Sequence, residues 1–484
     1  MFKKLMGAVV ILLLVTLFSW TAVAQDATAI GNALKAMGAD NLRTVEFTAT
    51  GWEYTFGQAV NPSSPWGGYE DKTYTRTINF ETPSWHIDRV LAPIPPTRRG
   101  GGLPPAPSQT IFIDPNTNWA VQLDHWMTPY GFLKAAVAYN ATVASQKMGG
   151  KSYTVVTFIA PNKAKVNGYI NDQNMVEKVE TLIDNPVTGD TPLNVVYSGY
   201  KDFGGLKFPT KIVRKQGDWP ILDLTVTDVK PNAPANFPRP PAGGGGQPPA
   251  TVSRPLGDGV YLILGGYASI AVDFKDYIVV LEGGNSEANA SAIISEAKRL
   301  IPNKPIRYLF NTHSHFDHTS GLRRFIAEGA TVITHEQNKR YYEKLAGLPH
   351  TLNPDMLAQS PKKPSIEGMT DKKVLTDGNH VIELHRLKDS THNDGLIVAY
   401  LPKEKVLLEA DGWNPPLEAD APPGPLNNAI YNKNLMDNIQ RLKLNVETVV
   451  PVHYPANNRV VTMAEFTRAV EKLGNQAAVT SASR

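Results

Sequence analysis

From Thr44 to Val229 apolar and polar positions mostly alternate, a period of two that predicts strands rather than helices. After a short helix over Ala27–Met37, the alternation predicts strands over Thr44–Gly51, Thr73–Asn79, Trp85–Val90, Thr110–Ile113 and Trp119–Leu123. A helical interval near Gly131–Gln146 interrupts them. Strands resume over Tyr153–Ile159, Lys165–Ile170, Val176–Leu182, Leu193–Tyr200, Leu206–Arg214 and Leu222–Val229. Turn residues such as Asp202-Phe203-Gly204-Gly205 separate these runs, so an antiparallel sheet is expected. Past Pro255 the pattern changes. Strands over Val260–Leu264, Ser269–Asp273 and Ile278–Glu282 lead into a helix over Ser286–Ile301, whose Ala290, Ile293, Ile294, Ala297 and Ile301 share one face. Strand Arg307–Asn311, helix Leu322–Glu328, strand Thr331–Thr334 and helix Glu336–Leu345 follow. Strands His380–Leu387, Gly395–Leu401 and Val406–Glu409, helix Lys433–Leu442, strand Thr448–Val452 and helix Met463–Leu473 complete the series. Interleaving of this kind predicts an α/β layered fold with sites at strand ends.

Composition divides the chain at the same place. Pro231–Pro255 contains Pro-Arg-Pro-Pro-Ala-Gly-Gly-Gly-Gly-Gln-Pro-Pro and reads as a linker, because such a stretch supports neither helix nor central strand. The expected organisation is therefore a mostly-β unit over 25–230, a linker over 231–255 and an α/β unit over 256–484. A second Pro/Gly stretch, Ala92–Pro107, lies between strands and is expected to be a surface loop. The N-terminal helix and meander resemble the curved-sheet carriers of outer-membrane lipoproteins, which makes a ligand carrier one alternative reading of the chain. Residues 1–24 read as a secretory signal: Lys3 and Lys4, an apolar run from Met6 to Phe18, and Ala22-Val23-Ala24 at the exit. The run is shorter than the ~20 residues that span a bilayer, so cleavage near Ala24 and a secreted or periplasmic location without a membrane span are expected.

The 484 residues are 42% hydrophobic and 19% charged, which excludes a disordered chain. Lys+Arg 48 nearly balances Asp+Glu 45 without a basic block, so a nucleic-acid partner is not indicated and a small-molecule substrate is expected. The balance says nothing about oligomeric state. There is no cysteine, which removes disulfides, thiolate metal ligands and thiol nucleophiles at once.

Chemistry concentrates after strand Arg307–Asn311, in Thr312-His313-Ser314-His315-Phe316-Asp317-His318. His313 and His315 are two apart and in an extended loop can grip one ion. Asp317 and His318, just past a turn, can face a second. Imidazole and carboxylate are suitable zinc ligands. Three His and one Asp within six residues, directly after a buried strand, are hard to explain as packing.

This His-x-His-x-Asp-His run resembles the signature of the metallo-β-lactamase superfamily, whose fold is an αββα sandwich with one or two metals at the edge of its sheets. The resemblance covers roughly Pro255–Leu473 and implies three further ligands at later strand ends, for which His392, Asp411 and His453 stand in family order. It implies one site of His313, His315 and His392, a second of Asp317, His318 and His453, and Asp411 bridging two Zn2+ ions, with Mn or Fe as alternative metals. It also implies a hydrolase in which a bridging hydroxide attacks an ester, lactone or amide. Asp317 would be the catalytic residue that orients the nucleophile. Asp rather than Cys or Ser at 411 favours a lactonase or esterase over a β-lactamase, the alternative within the same fold. Trp413 and Tyr454 are candidate substrate-binding walls. Glu282 in Val280-Leu281-Glu282-Gly283-Gly284 stands where the family usually carries Asp. His335 is a candidate partner for a ligating imidazole, although His335, His350, His380 and His385 all read first as structural, as do His86 and His125. No G-x-S-x-G nucleophile motif is present.

Overall fold

A computed structural model describes residues 28–94, 99–114, 117–239, 250–419, 421 and 429–482, the last ten of these by backbone alone. The expected signal at 1–24 and the linker's four glycines lie outside the described residues. Among the described residues, no helix is long and apolar enough to cross a membrane.

The alternating half forms one antiparallel sheet of eleven strands between Thr44 and Pro231. It consists of two meanders joined where the first strand, Thr44–Ala59, pairs with the last, Trp219–Pro231. Helices 28–36, Trp119–Trp126 and Pro129–Ala138 contribute to the same core, where Met37, Leu123, Phe132 and Leu133 meet strand residues such as Phe47, Val156 and Val179. Gly168 lets helix Pro129–Ala138 approach the sheet closely, because a Cβ there would lie 2.1 Å from the Phe132 ring.

Several elements differ from expectation. Trp119–Leu123 is not a strand. Asn118 accepts a hydrogen bond from the Ala120 amide and caps a helix that buries Trp119, Gln122 and Leu123 at helical spacing. The helix expected to reach Gln146 stops at Ala138, Asn140 takes a left-handed φ of 51°, and Thr142–Met148 is a strand. The linker ends early. Val252–Gly257 pairs with Val260–Leu264 as a sheet edge, where Pro255 needs no ladder donor. Ser365–Met369 and Lys372–Thr376 are strands that the pattern did not predict.

The C-terminal half is an αββα sandwich. A seven-stranded sheet runs from Val252–Gly257 to Ser365–Met369 and a five-stranded sheet from Lys372–Thr376 to Thr448–Pro451, each in sequence order. Their facing sides share a core containing Leu262, Ile270, Leu281, Ile382, Ala399 and Leu408. Intervening residues face outward: Ile263, Ala271 and Val280 pack on helices Glu287–Leu300 and Leu322–Glu328, and Val398 and Leu407 pack near Leu435 and Phe466. This two-sided burial explains why these strands are continuous apolar runs rather than alternating ones.

Candidate metal centre

Strand Ile306–Phe310 leaves the sheet and delivers Asn311 to His315 to the sandwich edge, where a one-turn helix, Phe316–Thr319, carries Asp317 and His318. His392 comes from the loop before strand Ile397–Leu401, Asp411 follows strand Val406–Glu409, and His453 follows Thr448–Pro451. The fold brings these seven residues together as two groups, His313/His315/His392/Asp411 and Asp317/His318/Asp411/His453, each with one ligand atom per residue within 4.8 Å of the others. Asp411 belongs to both. Its Oδ2 lies 3.4 Å from Nε2 of His313 and of His392 and 2.9 Å from Nε2 of His318, while its Oδ1 lies 3.0 Å from Nε2 of His453. Asp411 adopts a left-handed φ of 58°, a conformation that Asp tolerates better than most residues.

The donor chemistry fits divalent cations. His315 Nδ1 is buried without a hydrogen-bond partner, His318 Nε2 and His453 Nε2 face only the shared carboxylates of Asp317 and Asp411, and His313 Nε2 and His392 Nε2 face each other at 3.2 Å. Such an arrangement is costly unless a cation lies between the groups. Burial and the neighbouring imidazoles push His313 well down and His315 to about 3, so both are neutral, as ligands must be. Burial opposes charge on His318 as well, but Asp317 and Asp411 outweigh it and raise that imidazole. Burial likewise works against ionisation of Asp317 and Asp411, and the surrounding imidazoles overcome it and hold both carboxyls low.

The residues behind the ligands fix their orientation. Glu282, fully buried, accepts from Thr312 Oγ1 at 2.6 Å and from Asn311 Nδ2 at 3.1 Å. Thr312 Oγ1 in turn lies 3.1 Å from His313 Nδ1, so the imidazole N–H points at the hydroxyl and leaves Nε2 free to ligate. Glu282 therefore supports the ligand loop from behind. Asn311 Nδ2 also donates to the His318 carbonyl, and Tyr342 Oη lies 2.9 Å from the His313 carbonyl. Tyr267 Oη donates to Asp317 Oδ2 at 2.7 Å. Tyr267 and Gln58, which donates to Asp317 Oδ1 at 2.8 Å, escaped the sequence reading. The only sequence signal for Tyr267 is the Gly265-Gly266 pair before it, and Gln58 has none.

The two rings expected to meet substrate have packing roles instead. Trp413 is 1% exposed and lies on Phe466 in the outer core, which leaves it no face for a ligand. The Tyr454 hydroxyl accepts from Arg254 Nη2, whose guanidinium also sits over the ring. His335 caps helix Glu336–Ala346, with its Nδ1 accepting from the Gln337 amide, and does not partner a ligand. His385 pairs with Glu383, His380 stacks on Phe274 and His350 faces Asp355. His86 bonds Thr110 and Asp88, and His125 is buried in the N-terminal core.

The loop Ala92–Pro107, expected at the surface, turns inward at Gly100 and Gly101, which are buried beside the site. A cavity of about 290 Å3 lies between the two halves, walled by Phe56, Trp66, Trp219, Phe316 and Leu345 and reaching Ser314.

Residues 264–453 match the family model described as the metallo-beta-lactamase superfamily. No curated protein matches the chain. A solved metallo-beta-lactamase from Pontibacter korlensis is similar at 16% identity and a TM-score of 0.35, over 47% of this chain and 100% of that one. The metallo-beta-lactamase FIM-1 from Pseudomonas aeruginosa, in its mono-zinc form, gives 16% and 0.36 over 48% and 99% of the two chains. That from Hirschia baltica gives 15% and 0.34 over 46% and 96%.

Proposed function

We propose that this protein, whose C-terminal region belongs to the metallo-β-lactamase superfamily of metal-dependent hydrolases, is an exported dinuclear zinc hydrolase of esters, lactones or amides. The observation that carries this reading is the single carboxylate of Asp411, which both ligand groups share: Oδ2 faces His313 and His392 of one group and His318 of the other, and Oδ1 faces His453. Two cations, if held there, would lower the pKa of a bound water toward neutrality and polarise an acyl oxygen. His313, His315, His392 and Asp411 would hold one ion, and Asp317, His318, Asp411 and His453 the other. Asp317 is held on both oxygens by neighbouring donors, which suits it to orient the attacking nucleophile and accept its proton. Asp at position 411 in place of Cys or Ser supports lactones and esters ahead of β-lactams. The absence of a basic, aromatic strip argues against a nuclease. Four ligands per group argue against a mononuclear iron dioxygenase, which needs three ligands and open positions.

The zinc-loaded protein, assayed against lactones, aryl esters, β-lactams, phosphodiesters and sulfate esters, should turn over a lactone or aryl ester fastest and contain two zinc ions per chain. His313→Ala should reduce turnover at least 1,000-fold, on the order expected when a ligand-dependent nucleophile is lost. One iron per chain, or full activity in His313→Ala, would refute the site. Fastest turnover of a β-lactam would refute the substrate order. Tight ligand capture by the intact protein without any hydrolysis would favour a carrier instead.

A further inference from the structure

The N-terminal sheet reaches the metal loop at its first hairpin. Strand Thr44–Ala59 ends in Phe56-Gly57-Gln58-Ala59, and Gly57 takes a φ of +75° that turns the chain against Phe316. A Cβ on Gly57 would lie 2.3 Å from Phe316 Cγ, so only glycine allows this approach. Phe56 and Trp66 close around the same ring, with centroids 4.9 and 6.3 Å away. The clamp fixes the residue between the ligands His315 and Asp317, and three polar contacts follow from it. Gln58 Nε2 donates to Asp317 Oδ1 at 2.8 Å. His315 Nε2 donates to the Ala59 carbonyl at 2.9 Å, which leaves Nδ1 as the atom free to ligate. The amide of Asp394, two residues beyond His392, donates to the Val60 carbonyl at 2.8 Å.

The inward turn of the second loop works on the same ligands. Gly100 N donates to the Thr391 carbonyl, and Tyr431 Oη donates to the Gly100 carbonyl at 2.7 Å. The backbone then passes so close that a Cβ on Gly101 would lie 2.5 Å from His392 Cε1 and 2.6 Å from His315 Cε1.

The geometry points to Gln58 as a positioning residue for Asp317, and to the N-terminal sheet as a working part of the metal centre. Asp317 Oδ2 already accepts from Tyr267, so the Gln58 amide decides how the other oxygen is held. Hydrogen bonds to ligating groups set their orientation and basicity, and their loss typically costs about 10–100-fold in metal affinity. The inference rests on the dinuclear reading above, and the test separates the two.

Full-length protein stripped of metal is titrated with Zn2+ in competition with a chromophoric chelator, and in parallel with Co2+ to record its visible d–d spectrum. The group with three imidazoles is expected to fill first, so Gln58→Ala should weaken the second equivalent of zinc by about 10–100-fold, leave the first unchanged, and alter the cobalt spectrum. Gln58→Glu keeps the shape but sets a second carboxylate against Asp317, so it should change the spectrum at least as much as Gln58→Ala. A residue that only packs would leave both titrations of the isosteric variant unmoved. Gly101→Ala should instead weaken the first equivalent, because it displaces His315 and His392. If the unaltered protein takes up no metal, both readings fall. If it takes up two ions and both Gln58 variants match it in affinity and spectrum, the positioning role alone is overturned.

Discussion

At the scale of single residues, the ligands were legible because the chemistry demands particular side chains, whereas their partners were not. His313 to His318 announce themselves by spacing, and His392, Asp411 and His453 by their places after strands. Gln58 contacts Asp317 across 259 residues, and nothing local marks it. The same holds for a buried acid in the other half. Asp71, 1% exposed, has its carboxyl pushed up to about 7 by burial and by the Glu53 carboxylate, partly offset by Arg89. Its usual value is near 3.8, so between about pH 4 and 7 the folded state holds a proton that the unfolded state has lost. Stability from this group is present below pH 4 and is lost as pH rises through 7, by at most about 4 kcal/mol. Asp71→Asn should therefore flatten the fall in urea-denaturation midpoint between pH 5 and pH 8 and be the more stable protein at pH 8. An equal fall in both proteins would refute this account.

Among elements, legibility followed burial geometry. Strands buried on both faces, such as Val260–Leu264 and Ser269–Asp273, begin and end where the apolar runs do. Strand Thr44–Ala59 runs eight residues beyond its predicted end, because the alternation changes phase where the pairing register shifts between Ala49 and Gly51. Val45, Phe47 and Ala49 line the core, and Trp52, Tyr54 and Phe56 resume the alternation on the other parity, with Phe56 against the other half. Trp119-Ala-Val-Gln-Leu is a short, largely apolar run that reads like a strand, yet the Asn118 cap and burial at positions 119, 122 and 123 make it helical. The cap was visible in the sequence, but the helix position against the sheet was not. For the helix that follows, Pro129–Ala138, position depends on clearance at Gly168, where its Phe132 ring fills the space of a side chain. Gly168→Ala should destabilise the fold by about 2 kcal/mol through overpacking, read as a lower denaturation midpoint with unchanged slope. A midpoint equal to that of the unaltered protein would mean that the helix shifts at no cost.

For the whole molecule, the Pro/Gly stretch after Pro231 suggested two units on a linker, but the halves meet at more than their joint. The hairpin at Asn185–Gly189 puts Val187, 2% exposed, into the helical layer of the sandwich beside residues such as Ile294 and Leu345. Next to it Asp190 accepts from the Thr351 and Leu352 amides, and its own amide donates to the Pro349 carbonyl. Gly189 is required there, since at φ +64° a Cβ would lie 2.1 Å from that carbonyl. Composition could flag flexible chain between the halves, but contacts carried by one apolar and one acidic residue in a turn leave no periodic trace. With the Phe316 clamp they form two separated anchor points, enough to hold the first hairpin over the metal ligands. Coupling of this kind predicts a single calorimetric transition for the intact protein, shifted as a whole by added zinc, because an ion that binds only the native state stabilises everything folded with it. Val187→Asp buries a charge at the far anchor without touching any ligand, and should cost about 3 kcal/mol of docking. The expected result is two transitions, of which zinc raises only the one belonging to the sandwich. A single zinc-responsive transition in Val187→Asp would show that the contacts around the metal ligands suffice to couple the halves.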